Sequence, residues 1–116
     1  MDDHPLFREA ITLLIQFQPD MVLVGEASNG AEAIRMFKEH RPDVTLMDLR
    51  LPDMSGLDAL IAIRTDEPEA RIVMLTTFEG DADAQRALQA GARAYLLKSM
   101  PPKELAEAIR RVHAGP

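Results

Sequence analysis

Hydrophobic positions along the chain follow two periods, one typical of helices and one typical of short buried strands. The first helical stretch begins at Pro5, which suits a first turn because its missing N–H is harmless there. Its apolar members are Leu6, Ala10, Leu13, Leu14 and Phe17. Further helices are predicted from Gly30 to about His40, after Ser55, from Gly80 to about Ala90 with Gly91 beyond its last turn, and from Pro102 to about His113.

The same spacing predicts which side of each helix faces the core. The predicted buried face of the second helix consists of Ala31, Ile34 and Phe37. The third helix carries the apolar residues Leu57, Leu60, Ile61 and Ile63.

Short apolar runs rich in β-branched residues separate these helices. They predict strands over residues 21–27, 43–48, 71–76 and 94–98. Strands that alternate with helices form βαβ units with right-handed crossovers, so the fold class is α/β with a doubly wound parallel sheet. The alternation begins with a helix rather than a strand.

Composition narrows the classes of function. The chain has 116 residues, enough for one domain, and its net charge of -6 argues against binding nucleic acid or an anionic membrane by itself. It has no cysteine, which excludes disulfides, thiolate metal sites and cysteine nucleophiles. No apolar run approaches the roughly 18 residues of a membrane helix, and the start lacks the features of a signal peptide, so a cytoplasmic protein is expected.

Polar residues follow the predicted strands where parallel strands share one edge. Asp48, Thr76 and Lys98 end three of them, and the acidic pair Asp2–Asp3 precedes the first helix. Like charges about 4 Å apart repel by roughly 4 kcal/mol at a surface-like dielectric, so several carboxylates at one edge need a cation. Oxygen ligands without Cys or His suit Mg²⁺.

This set of residues fits phosphoryl transfer to a carboxylate. Asp48 would attack, Asp2 and Asp3 would hold the metal, and Thr76 and Lys98 would bind the new phosphate. Each residue alone has an ordinary structural explanation as a cap, a turn former or a strand end. Their joint placement at one edge is what favours the functional interpretation.

The quoted motifs resemble the receiver domain of bacterial two-component response regulators over essentially the whole chain, residues 1–116. The motifs are Asp2-Asp3-His4-Pro5, Leu46-Met47-Asp48-Leu49-Arg50-Leu51-Pro52, Leu75-Thr76-Thr77 and Tyr95-Leu96-Leu97-Lys98. Their details resemble the NarL/LuxR-type subfamily, whose members usually join this domain to a helix-turn-helix DNA-binding domain. The resemblance implies a flavodoxin-like three-layer sandwich.

The resemblance also implies a site and partners. Asp48 would be phosphorylated by a sensor histidine kinase, with Mg²⁺ held by Asp3, Asp48 and the backbone carbonyl of Arg50, and with Asp2 assisting through water. Thr76 and Tyr95 would form a switch pair. The domain would promote only its own phosphorylation and dephosphorylation and would not otherwise be an enzyme. It would reach DNA only through an output domain that this chain does not contain, and a second copy is a candidate dimer partner.

The sequence departs from the family pattern at its start. The family has a strand of about five apolar residues before the acidic pair, where this chain has only Met1. The resemblance therefore predicts a receiver that lacks its usual first strand. Truncation, a rearranged strand order and a strand supplied by a partner chain all remain open, and the geometry of Asp2 and Asp3 depends on which applies.

Three other functions compete with the phosphoacceptor. A phosphorylation-independent interaction or dimerisation module would keep the fold without the chemistry. A haloacid-dehalogenase-type phosphatase also uses a strand-end Asp with Mg²⁺, but it needs a second Asp where this chain has Arg50. A flavodoxin-like FMN protein needs a glycine-rich phosphate loop after its first strand, where Asp2 and Asp3 would repel the phosphate.

Overall fold

The computed structural model of the chain describes residues 5–76 and 81–115. In this part of the chain, two helices come first, and from the second helix onward strands and helices alternate. The helices are α1 (Pro5–Gln16), α2 (Gly30–His40), α3 (Gly56–Asp66), α4 (Asp81–Gln89) and α5 (Pro102–Ala114). The strands are β1 (Thr45–Asp48), β2 (Ile72–Thr76) and β3 (Ala94–Leu97). No helix among these is long and apolar enough to cross a bilayer.

The three described strands form one parallel sheet in the order β1-β2-β3. Its register aligns Asp48 with Leu75 and Thr76 with Leu97. The carboxyl ends of the strands therefore meet at one edge, as the sequence predicts. That edge is where open α/β sheets place their ligands and chemistry.

Helices cover both faces of the sheet because β2 is apolar on both sides and wholly buried. Ile72 and Met74 pack into one hydrophobic cluster with residues of α2, α3 and α4, and Val73 and Leu75 pack into a second with residues of α1 and α5. The result is a three-layer sandwich, which confirms the predicted doubly wound α/β class.

Side chains and glycines define where the helices begin and end. Asn29 caps α2 by accepting a hydrogen bond from the Glu32 N–H at 2.8 Å, and Ser55 caps α3 through the Leu57 N–H at 3.1 Å. Gly91 follows α4 with φ of +109°, a conformation that favours glycine. Its predicted place beyond the last turn agrees with the structure.

The strand predicted over residues 21–27 is wrong, because this segment pairs with no described strand. Val22 is 82% exposed and Val24 is 46% exposed. A β-branched run becomes a strand only where a neighbour completes its backbone hydrogen bonds, and the described residues offer it none. A cavity of about 690 Å³ is lined by this segment together with Phe7, Thr45 and Leu46.

Smaller differences concern which residues face the core. On α2, Ala33 is buried where Ala31 was expected, and on α3, Ile61 is exposed. On α1, the inward residues are Phe7, Ile11 and Leu14, whereas Leu6, Leu13 and Phe17 are exposed. Leu6 and Leu13 form a second apolar line along the same helix, and Phe17 follows just beyond its last residue, so spacing alone does not identify the buried line.

Neighbouring residues on α3 allow a matched test of the core. Leu60 is fully buried and Ile61 is 48% exposed. We expect Leu60→Ala to lower the free energy of unfolding by about 2–5 kcal/mol through lost burial and a residual cavity. Ile61→Ala should cost less than about 1 kcal/mol, because surface changes usually stay near 0.5 kcal/mol. Urea unfolding followed by circular dichroism measures both, and equal losses would contradict the observed packing.

Candidate functional site

A buried ion pair lies at the carboxyl edge of the sheet. The Lys98 ammonium nitrogen lies 2.9 Å from Oδ2 of Asp48, and the side chains are only 7% and 5% exposed. Removing two charges from water costs several kcal/mol per ion, which close pairing and further hydrogen bonds must offset. The pair is therefore a costly feature at the edge where chemistry is expected.

The fold brings Lys98 to Asp48 across two strands. Lys98 follows β3, where its N–H donates to the Thr76 carbonyl at 2.7 Å. Its ammonium also lies 5.0 Å from the centroid of the Phe7 ring on α1, within the range of a cation–π interaction. A carboxylate and an aromatic ring therefore both stabilise the positive charge.

Two further residues of the predicted site lie on β2 and β3. Thr76 ends β2, is 4% exposed, and stands between Asp48 and Lys98 in strand order. Tyr95 lies on β3 opposite Met74 and packs against the cluster formed with α2, α3 and α4. Its hydroxyl is buried and has no hydrogen-bond partner among the described residues. An unsatisfied buried hydroxyl costs about 1–3 kcal/mol.

The loop after β1 folds tightly against Asp48. The Arg50 N–H points to Oδ1 of Asp48 at 3.3 Å, and the Gly56 N–H donates to the Leu49 carbonyl at 2.7 Å. A side chain at position 56 would collide with the Asp48 carbonyl oxygen, which explains the glycine. The loop therefore returns to the strand end that it left.

Sequence reasoning missed Asp53 at the tip of this loop. Its Oδ1 accepts from the Gly30 N–H at 2.7 Å, and its Oδ2 accepts from the Ala31 N–H at 3.0 Å. Hydrogen bonds from these two backbone N–H groups hold the pKa of Asp53 below its ordinary value of 3.8. Because α2 is distant in sequence from this loop, no local capping pattern indicates the contact.

This contact predicts a pH effect on stability. The folded pKa of Asp53 is depressed, so its stabilising contribution is present above about pH 3.8 and is lost as the pH falls through the lower folded value. The free energy of unfolding of Asp53→Asn should therefore lie furthest below that of the natural chain near neutral pH. In acid the two values should converge. Urea midpoints measured from pH 6 down to pH 2 test this.

Asn29→Ala is the matched control for that titration, because it removes an uncharged cap from the same helix. We expect it to cost about 0.5–2 kcal/mol at neutral pH and the same amount in acid. A difference in unfolding free energy between the natural chain and Asp53→Asn that stays constant with pH would contradict the titration of Asp53.

The expected metal ligands are only partly within the described residues. Asp2 and Asp3 lie outside them, and so does His4. Within residues 5–76 and 81–115, no three His, Cys, Asp or Glu side chains are grouped as metal ligands. The described part of the edge supplies the Asp48 carboxylate, whose oxygens are hard donors of the kind that Mg²⁺ prefers.

Comparison with known proteins shows close relatives. Residues 1–110 match the response regulator receiver domain model. The chain is 40% identical over 115 residues to the response regulator protein VraR of Staphylococcus aureus, covering 99% of this chain and 55% of VraR. The receiver domain of a NarL response regulator from Mycobacterium tuberculosis superposes with a TM-score of 0.94 at 36% identity, covering 99% of this chain and 93% of that one.

Two further solved structures are informative. A LuxR-family two-component response regulator from Aurantimonas sp. SI85-9A1 has a TM-score of 0.93 at 42% identity, covering 98% of this chain and 81% of that one. A response regulator from Burkholderia pseudomallei, with a TM-score of 0.83 at 26% identity, contains a phosphorylated aspartic acid and a calcium ion. The match covers 96% of this chain and 65% of that chain.

The chain therefore belongs to the response regulator receiver domain family of two-component signalling. Within that family it is a receiver of the NarL/LuxR type. This membership confirms the resemblance seen in the motifs and sets aside the phosphatase and the flavoprotein. The chain spans about half the length of VraR.

Proposed function

We propose that this domain accepts a phosphoryl group from a sensor histidine kinase onto Asp48. The observation that carries the proposal is the Asp48–Lys98 pair, buried at the carboxyl edge of the sheet with an oxygen–nitrogen distance of 2.9 Å. A structural ion pair would more often lie at the surface, where it costs less. The phosphorylated aspartic acid in the Burkholderia pseudomallei relative supports the same assignment.

The transfer itself replaces one bond with another. A carboxylate oxygen of Asp48 attacks phosphorus and forms an acyl phosphate, while the P–N bond to the kinase imidazole breaks and its electron pair returns to nitrogen. Lys98 holds Oδ2 before the reaction and can then follow the negative charge onto the phosphoryl oxygens. Thr76, at the end of the intervening strand, would donate its hydroxyl to another of them.

Mg²⁺ is the cation we propose for this site. Asp48, the Arg50 carbonyl and Asp3 would hold it, with Asp2 acting through water. When bound, it would neutralise charge on the phosphoryl group during transfer. The preference of hard cations for oxygen donors and the calcium ion in the Burkholderia pseudomallei relative support this assignment.

Thr76 and Tyr95 are proposed as the switch. A phosphoryl group adds about -1.5 to -2 charge and three acceptor oxygens, which would draw the Thr76 hydroxyl toward Asp48. The buried Tyr95 hydroxyl has no partner among the described residues, so any arrangement that gives it one gains free energy. Phosphorylation would thus shift the populations of two ring positions.

The wider setting is also a proposal. We infer that residues 1–116 form one receiver domain, acting in the cytoplasm on a transcriptional output domain that contacts DNA. A second copy is the candidate dimer partner. NarL/LuxR-type relatives support this setting.

A phosphorylation-independent interaction module is the second candidate. The exposed apolar residues Leu6, Phe17 and Val22 favour it, because they are 83%, 79% and 82% exposed. Labelling of the purified chain with radioactive acetyl phosphate, with Mg²⁺ or with EDTA, separates the two functions. Mg²⁺-dependent label that neutral hydroxylamine releases, as expected of an acyl phosphate, supports the phosphoacceptor. No label at saturating Mg²⁺ supports the module.

A further inference from the structure

Asp53 joins two parts of the fold that are distant in sequence. Its carboxylate accepts one hydrogen bond through each oxygen from the first two backbone N–H groups of α2, those of Gly30 and Ala31. Asn29 accepts the next N–H, that of Glu32. The N-terminus of α2 is therefore capped by the neighbouring residue Asn29 and by Asp53 from the loop after β1.

The loop that carries Asp53 is closed by its own hydrogen bonds. The Leu51 N–H donates to the Met54 carbonyl at 3.3 Å, and Arg50 and Ser55 form an isolated antiparallel bridge. This loop, residues 49–55, begins directly after Asp48 and presents its Arg50 N–H to the Asp48 carboxylate at 3.3 Å. Because the loop is bonded to itself, it acts as one piece, and a contact at its tip bears on the Arg50 N–H beside Asp48.

Contacts at the tip hold this piece in place. A side chain at Gly30 would collide with the side chain of Met54, so α2 and the loop already approach as closely as glycine allows. The two hydrogen bonds to Asp53 lie beside that contact. They are directional, whereas the Met54 contact is not.

We propose that Asp53 is a positioning residue for phosphoryl acceptance, fixing the loop and its Arg50 backbone against Asp48; this rests on the function proposed above. Asp53 acts through the loop and α2. A misplacement of about 1 Å can slow a reaction by about a hundredfold. Loss of the two Asp53 hydrogen bonds leaves the Met54 contact and the loop's own hydrogen bonds in place, so we expect a smaller displacement and acceptance slowed by about tenfold.

The test must separate positioning from simple helix capping. Asp53→Ala removes both acceptors, Asp53→Asn keeps one, and Asn29→Ala removes the other cap of the same helix without altering the loop. Each variant of the full chain is labelled with acetyl phosphate at saturating Mg²⁺. The first-order rate constant at saturating donor is separated from the donor concentration for half-maximal rate, and urea unfolding confirms the folded fraction.

The proposal predicts that Asp53→Ala lowers the saturated rate constant about tenfold, that Asp53→Asn lowers it less, and that Asn29→Ala leaves it unchanged despite reduced stability. Equal rate constants for Asp53→Ala and the natural chain would overturn it, as would equal slowing by Asn29→Ala. If Asp53→Ala does not fold, an Asp53→Asn rate constant equal to that of the natural chain overturns it. A natural chain that takes no label overturns the phosphoacceptor function, and this inference with it.

Discussion

Asp48→Asn is expected to abolish phosphoryl acceptance while the domain stays folded. Asp48 is the buried carboxylate at the end of β1, 3% exposed, and an amide oxygen cannot replace it as the nucleophile. The amide still offers an oxygen to the Lys98 ammonium, which lies 2.9 Å from Oδ2 in the natural chain. We therefore expect label from acetyl phosphate to fall to background and the far-ultraviolet circular dichroism spectrum to stay unchanged.

Asp43→Asn is the control for that experiment. Asp43 is an exposed carboxylate just before the opposite end of the same strand. Its variant should accept label at the natural rate. Undiminished labelling of Asp48→Asn would show that another residue is the acceptor.

Lys98→Met is expected to destabilise the domain by about 3–5 kcal/mol, the usual cost of removing one partner from a buried ion pair. Methionine keeps most of the side-chain length but leaves the 5% exposed Asp48 side chain without its ammonium partner. Removing one partner from a surface ion pair would lower the stability by no more than about 1 kcal/mol. Urea unfolding at neutral pH measures the difference.

A double-mutant cycle separates charge from packing at this pair. Asp48→Asn combined with Lys98→Met removes both charges, so most of the stability lost in Lys98→Met should return. The Arg41–Glu67 pair, with an Arg41 side chain 71% exposed, is the comparison at the surface. Full additivity of the two changes would contradict a strong interaction between Asp48 and Lys98.

The pattern of apolar residues predicted the three layers of this fold well, because the spacing of apolar residues indicates which face of each element is buried. The run from Ile72 to Thr76 is buried on both faces, as an apolar strand in a parallel sheet should be. The same reasoning failed for residues 21–27. Strand formation there depends on a neighbouring strand, and a local pattern carries no information about that neighbour.

The candidate site was predictable to a similar extent. Parallel strands bring their ends together, so the joint placement of Asp48, Thr76 and Lys98 follows from strand order. The hydrogen bonds to Asp53 did not follow, because their donors, Gly30 and Ala31, belong to a helix distant in sequence from the loop. Contacts between a loop tip and a distant helix end depend on tertiary geometry, which apolar spacing does not encode.

Chemical mapping of the modified residue identifies the phosphoryl acceptor itself. The chain is phosphorylated with acetyl phosphate and Mg²⁺, reduced with borohydride, which converts an aspartyl phosphate to homoserine, and sequenced by mass spectrometry. Phosphorylation of Asp48 predicts homoserine at position 48 and nowhere else. Homoserine at another aspartate, or phosphate retained on a hydroxyl side chain, would contradict it.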